Sequence, residues 1–137
     1  MAFEHKLVAV LNKEIEMGVA LNALGHMSIG LGSDIGKNLL RLDIYKDAEG
    51  NNYPNISQIP FIILRAKSNE IRRTVVNCRE NGIEHTVFFN TMTGGTYLEQ
   101  LERTKNTSEA SLIYYGCVLF GPWDTVTEIT RKFSLWK

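Results

Sequence analysis

Five consecutive apolar residues, Leu7-Val8-Ala9-Val10-Leu11, restrict this chain more than any other segment. The run is short and shows no alternation of polar and apolar residues. A central strand covered on both faces reads this way. Phe61-Ile62-Ile63-Leu64 and Thr86-Val87-Phe88-Phe89 repeat the pattern, and Leu112 to Phe120 adds a fourth apolar strand. A sheet with such strands at its centre needs helices on both faces.

The segments between the strands supply those helices. Met17, Ala20, Leu21, Leu24, Met27 and Leu31 fall on one helical stripe, and glycines at 30, 32 and 36 end it. Ser68 is placed to cap a second helix with Ile71, Val75 and Cys78 inward, stopped by Asn81-Gly82. Thr96-x-x-Glu99 is a capping box that opens a short helix, with Leu98 and Leu101 expected on its inner side. Pro122 suits a first helical turn, and Val126, Ile129, Thr130 and Phe133 give the last helix a seam. Arg41 to Lys46 alternates like a half-buried strand, and Asp47 to Asn52 is turn chemistry. The apolar tail Phe133-Ser134-Leu135-Trp136-Lys137 is expected to dock on the body or on a partner, the body being the default. The order predicts an α/β protein: a three-layer α/β/α sandwich around a mixed, mostly parallel four-stranded sheet, with residues 1–137 forming one domain.

The 137 residues suffice for one core without staples. Lys+Arg and Asp+Glu both count 15, so the formal net charge is zero. A nucleic-acid binder usually carries a basic surplus, which argues against that partner. Cys78 and Cys117 lie apart in apolar runs and read as buried free thiols. The start lacks the h-region of a signal peptide, and no stretch reaches the roughly 20 apolar residues of a membrane span. The expectation is a cytoplasmic protein without membrane association. Gly36-Lys37 lacks the remainder of a P-loop, and Gly30-x-Gly32 lacks the third glycine of a dinucleotide fingerprint. No His, Cys, Asp or Glu cluster has metal-ligand spacing, so neither metal nor cofactor is expected.

Two features point to a site. Met17 through Gly32 contains no Asp, Glu, Lys or Arg. Opposite its core stripe stand Asn22 and His26, neighbours at i and i+4. A solvent-facing helix side normally carries charges, so a cover is expected: another part of the chain, a second subunit or a ligand. His26 could serve as a general base. The second feature is Asn90-Thr91-Met92-Thr93-Gly94-Gly95-Thr96, just past a buried strand. Ligands of open α/β sheets sit at such carboxyl ends, and glycines let backbone N–H groups approach an anion. The alternative is a tight turn with Thr96 as a helix cap. Asn12 and Lys13 end the first strand and would join this loop if the two strands were parallel neighbours. The candidate ligand-binding set is therefore Asn12, Lys13, Asn22, His26, Asn90, Thr91, Thr93, Gly94, Gly95 and Thr96, around a small, anionic ligand. His26, Asn90 and Thr93 are the catalytic candidates.

Lys6-Leu7-Val8-Ala9-Val10 followed by Met17-Gly18, and Leu119-Phe120-Gly121-Pro122 before the last helix, resemble the opening and close of type II peptidyl-tRNA hydrolases. Ala20-Leu21-Asn22-Ala23, Ile59-Pro60-Phe61, Thr93-Gly94-Gly95-Thr96-Tyr97 and Phe133-Ser134-Leu135-Trp136 resemble more closely an uncharacterised bacterial domain family of that superfamily. The resemblance implies the hydrolase-like fold and a homodimer. It implies a weaker case for the activity. Val19 and Leu21 replace two lysines of the hydrolases' Met-Gly-Lys-Gly-Lys, and Asn90 lies nearest their Asp. Lost phosphate contacts weaken tRNA affinity. A small-ligand-binding protein is the favoured reading. A divergent peptidyl-tRNA or other acyl-ester hydrolase and a homodimeric interaction module are the alternatives.

Overall fold

The computed structural model describes residues 3–137. Strand β1 (His5–Asn12) is the centre of a five-stranded sheet in the order β5-β6-β1-β4-β7. Its partners are β4 (Phe61–Ala66), parallel to it, and β6 (Tyr114–Pro122), antiparallel. Strand β5 (Glu84–Phe89) pairs antiparallel with β6 at one edge. The two-residue β7 (Ser134–Leu135) pairs antiparallel with β4 at the other. The tail therefore docks as expected, and the Trp136 N–H donates to the Ile63 carbonyl at 2.9 Å.

Helices cover both faces. Helix α1 (Met17–Ile35) lies on the face formed by Leu7, Ala9, Leu11, Val118 and Phe120. Helices α2 (Ser68–Glu80) and α4 (Trp123–Thr130) lie on the face of Val8, Val10, Cys117 and Leu119. Val8, Ala9 and Val10 are wholly inaccessible, as the unbroken apolar run requires. Three layers are thus present, but the sheet differs from expectation. It has five strands, and only one of its four pairings is parallel. An apolar run reports coverage on both faces and says nothing of direction, so an antiparallel central strand such as β6 reads like a parallel one.

Three helical details also differ. The buried stripe of α1 is Ala20, Ala23, Met27 and Leu31, while Met17 and Leu21 face outward. Lys67, not Ser68, occupies the N-cap position of α2, and its N–H donates to the Glu70 carboxylate. The Ser68 hydroxyl instead accepts from the Tyr114 N–H at 2.9 Å, tying α2 to the start of β6. The short helix α3 (Tyr97–Lys105) buries no residue at all. Residues 41–46, expected to be half-buried, form β2 (Leu42–Lys46). It pairs only with β3 (Asn52–Ser57) in a separate two-stranded hairpin. Ile44, Tyr45, Tyr53 and Ile56 stand exposed on that hairpin. Asp47 fastens its tip, accepting from the Glu49 and Asn51 N–H groups and the Tyr53 hydroxyl. These bonds, Tyr53's foremost, lower its carboxyl to about 2. Among the described residues no helix is long and apolar enough to cross a membrane.

The interior makes two expectations measurable. A Cβ on Gly116 would lie 2.9 Å from the Met27 Cε, 3.0 Å from the Leu11 Cδ2 and 3.2 Å from the Val10 carbonyl oxygen. Gly116→Ala should therefore cost about 1–3 kcal/mol by overpacking, read from the denaturant midpoint. Cys78 and Cys117 are both buried and free. Burial pushes the Cys78 thiol up to about 12, and the Cys117 thiol is raised as well. The thiolate is the reactive form, so at pH 8 neither cysteine should react with a disulfide reagent until denaturant is added.

Candidate functional site

The edge strand β5, the outer flank of α1 and the helix α3 enclose a cleft of about 840 Å³. Its floor is apolar: Phe88 of β5 and Met27 of α1 are buried. Its polar groups converge from three elements and a loop. Asn22 and His26 come from α1, Thr86 from β5, Thr93 from the loop, and Gln100 and Thr104 from α3. No Asp, Glu, Lys or Arg lines it. The His26 ring stacks on Phe88, with centroids 5.9 Å apart and planes 22° apart.

The loop after β5 is held by its own backbone and by α3. Asn90 ends β5 by pinning it to the segment before β6. Its N–H donates to the Ile113 carbonyl and its Oδ1 accepts from the Ile113 N–H, both at 3.0 Å. The Thr93 hydroxyl donates to the Asn90 carbonyl at 2.8 Å. Thr91 is buried, and its Oγ1 accepts from the Thr104 hydroxyl at 2.7 Å. Arg103 gathers the rest. Its guanidinium donates to the carbonyls of Thr91, Thr93 and Gly94 at 3.2, 2.7 and 2.9 Å. Residues 91 to 104 are thereby one hydrogen-bonded module, and Arg103 is consumed in holding it.

Gly94 and Gly95 both take φ of +72°, the left-handed region glycine favours. The expected anion cradle at this turn already contains a carboxylate. The Glu99 Oε1 accepts from the Thr96 N–H at 3.0 Å, and the Thr96 Oγ1 accepts from the Glu99 N–H at 3.2 Å. The Thr96 bonds hold the Glu99 carboxyl below its usual range. A Cβ on Gly95 would come within 3.3 Å of that carboxylate. The capping box read from the sequence is real, and it fills the helix N-terminus that an anion would need.

Of the predicted residues, the structure brings Asn22, His26, Thr93 and Gly94 to the cleft. Thr91, Gly95, Thr96 and Asn90 build the loop behind it. Asn12 and Lys13 do not join, because β6 runs between β1 and β5. Asn12 is buried, donating to the Tyr114 carbonyl at 2.9 Å and accepting from the Glu14 N–H at 2.8 Å. Lys13 faces a separate dent. Sequence reasoning missed Thr86, Gln100, Thr104 and Arg103. The signal for Arg103 was its place two helical turns after the Thr96 cap, on the side of the loop it grips.

Among solved structures, a protein of unknown function from Agrobacterium tumefaciens strain C58 shares the fold, with a TM-score of 0.84 at 19% identity. The match covers 99% of this chain and 100% of that one. No curated protein shows significant sequence similarity to the chain. A family model does match, over residues 5–137, and the chain therefore belongs to the family described as Protein of unknown function (DUF2000).

Proposed function

We propose that the protein binds a small, uncharged, partly apolar ligand in the cleft between α1, β5 and α3. The observation that carries this reading is the lining: an apolar floor, hydrogen-bonding side chains from α1, β5, the loop and α3, and no Asp, Glu, Lys or Arg. Small-molecule sites have this make-up. A charged ligand would leave water for walls that offer no counter-charge, which costs several kcal/mol per ion. The anionic ligand expected at the Gly94-Gly95 turn is disfavoured for the same reason, since Glu99 stands there. Helix α3 serves as the cover. Tyr97 and Leu101 line the cleft yet are 71% and 49% exposed, so a ligand beneath them gives their apolar surface something to bury.

The fold is read as peptidyl-tRNA hydrolase-like. In support, Lys6 to Val10 lie on the central strand, Met17-Gly18 opens α1, and Gly121-Pro122 leads from β6 into α4. Hydrolysis in the cleft is the weaker reading. Asn90 and Thr93 are spent on backbone partners, and no carboxylate lines the cleft to orient His26 as a base.

A homodimer is a second reading, favoured by the outermost flank of α1. Met17, Leu21 and Ile29 are 52%, 56% and 74% exposed there, and no charge interrupts them. Leu21, Gly25 and Ile29 are spaced by four, and Gly25 has open space above it. Two such ridges crossing antiparallel at Gly25 set Leu21 of one copy beside Ile29 of the other. That contact is self-complementary, as a two-fold axis demands.

Thermal shift against a panel of neutral metabolites, followed by calorimetry, tests the ligand. Asn22→Trp, at an exposed helical position, should fill the cleft, leave the fold intact and weaken any hit by about tenfold or more, some 1.4 kcal/mol. Unchanged affinity for every hit would place binding elsewhere. For the dimer, Ile29→Glu should convert a dimeric parent into a folded monomer, measured by light scattering. A monomeric parent, or a folded variant that keeps the parent's mass, would exclude this face.

A further inference from the structure

The cations absent from the cleft gather at a different crevice. Lys13 follows β1 directly, Arg65 lies near the end of β4, and Lys132 precedes β7. With Glu70, Phe133 and Ser134 they line one dent of about 190 Å³. None of the three cations is in an ion pair among the described residues, where the pairs join Arg72 to Glu109 and Arg131 to Glu128. The one carboxylate in the dent is committed: the Glu70 Oε1 accepts from the Lys67 N–H at 2.9 Å. In a chain with 15 cationic and 15 anionic side chains, this spot gathers three of the former and one of the latter. Three cations against one carboxylate leave the dent net positive, and such an excess focuses a field on a small anion.

The position gives this grouping its meaning. Among the described residues, β1 and β4 are the sheet's only parallel pair. The chain leaves β1 for α1 on one face and leaves β4 for α2 on the opposite face. The crevice at the carboxyl ends of two neighbouring strands whose connections diverge is where open α/β sheets hold ligands. Lys13 and Arg65 stand on its two sides. The Lys13 N–H donates to the Ala66 carbonyl at 2.9 Å and fixes the spacing of the two strand ends. The β7 pairing sets Ser134 opposite Arg65 and so brings Lys132 to the same place.

We propose that this dent binds an oxyanion of phosphate size, either the free ion or the phosphate group of a small phosphomonoester. Arg65 offers a planar guanidinium that matches two oxygens at once, the two lysines act as point charges, and the Ser134 hydroxyl adds a donor. The site shares no lining residue with the uncharged cleft and stands independently of it.

The test is calorimetric titration of the full chain with inorganic phosphate and with glycerol 3-phosphate, chloride holding ionic strength constant. Saturable binding is expected, weakened about tenfold or more in Arg65→Gln and in Lys132→Gln. Lys105→Gln, outside the dent, should bind like the parent. All three variants should melt like the parent in phosphate-free buffer. Tighter binding of glycerol 3-phosphate would identify the phosphomonoester as the ligand, and equal binding the free ion. No saturable heat above the chloride control would overturn the proposal. So would one affinity shared by the parent and both dent variants.

Discussion

The burial of β1 on both faces governs the rest of the molecule. Val8, Ala9 and Val10 are shut from water completely, so helices must lie above and below them. The chain leaves β1 for one face and β4 for the other, and α4 completes the second layer. That divergence opens a crevice at the two strand ends. It also sends α1 alone over the Leu7–Phe120 face, where it cannot cover the whole width of the sheet. The edge strand β5 is left with a flank that α1 reaches only in part, and the cleft forms there. Both candidate sites are consequences of one apolar run of five residues.

Much of this was legible in the residues. The strands at β1, β4, β5 and β6, the helices, the Asn81-Gly82 stop, the capping box at Thr96 and the docking of the tail all follow local rules of periodicity and capping. What failed were relations that local rules do not encode. Direction in the sheet is one, because an apolar strand between two others looks alike whichever way it runs. The orientation of α3 is another. Leu98 and Leu101 have the spacing of an inward stripe, but the helix packs on its own loop through Arg103 and not on the core, so Leu98 stands exposed and Leu101 only borders the cleft. Asn12 illustrates the same limit. A polar residue at a strand end reads as a ligand donor, and only the course of β6 shows that it is committed to the Tyr114 carbonyl.

The hairpin β2–β3 shows where pattern and burial part. Ile44 and Tyr45 are strand-forming residues and do form a strand, yet no sheet face receives them. A two-stranded hairpin in water is marginal by itself. This one is held at its root, where the Gln58 N–H donates to the Arg41 carbonyl, and at its tip by the Asp47 network. Its order comes from polar contacts at the ends, which leaves its apolar side chains unspent.

Charge is distributed by the same logic. A formal net charge of zero suggests a uniformly mixed surface, but the fold sorts the residues. The outer flank of α1 is uncharged from Met17 to Ser33, and the cleft beside it inherits that neutrality. The α3 module keeps it so, since Arg103 turns its guanidinium onto loop carbonyls and Glu99 turns its carboxylate onto the helix cap. Two charges that could have entered the cleft are thereby consumed at its border. At the ends of β1 and β4 the reverse holds: three cations meet and only Glu70, itself held as a helix cap, faces them. The two crevices open at the same end of one sheet, because β5 runs parallel to β1 with β6 between them. Their opposite polarity comes from what each neighbouring helix and loop consumes in capping itself.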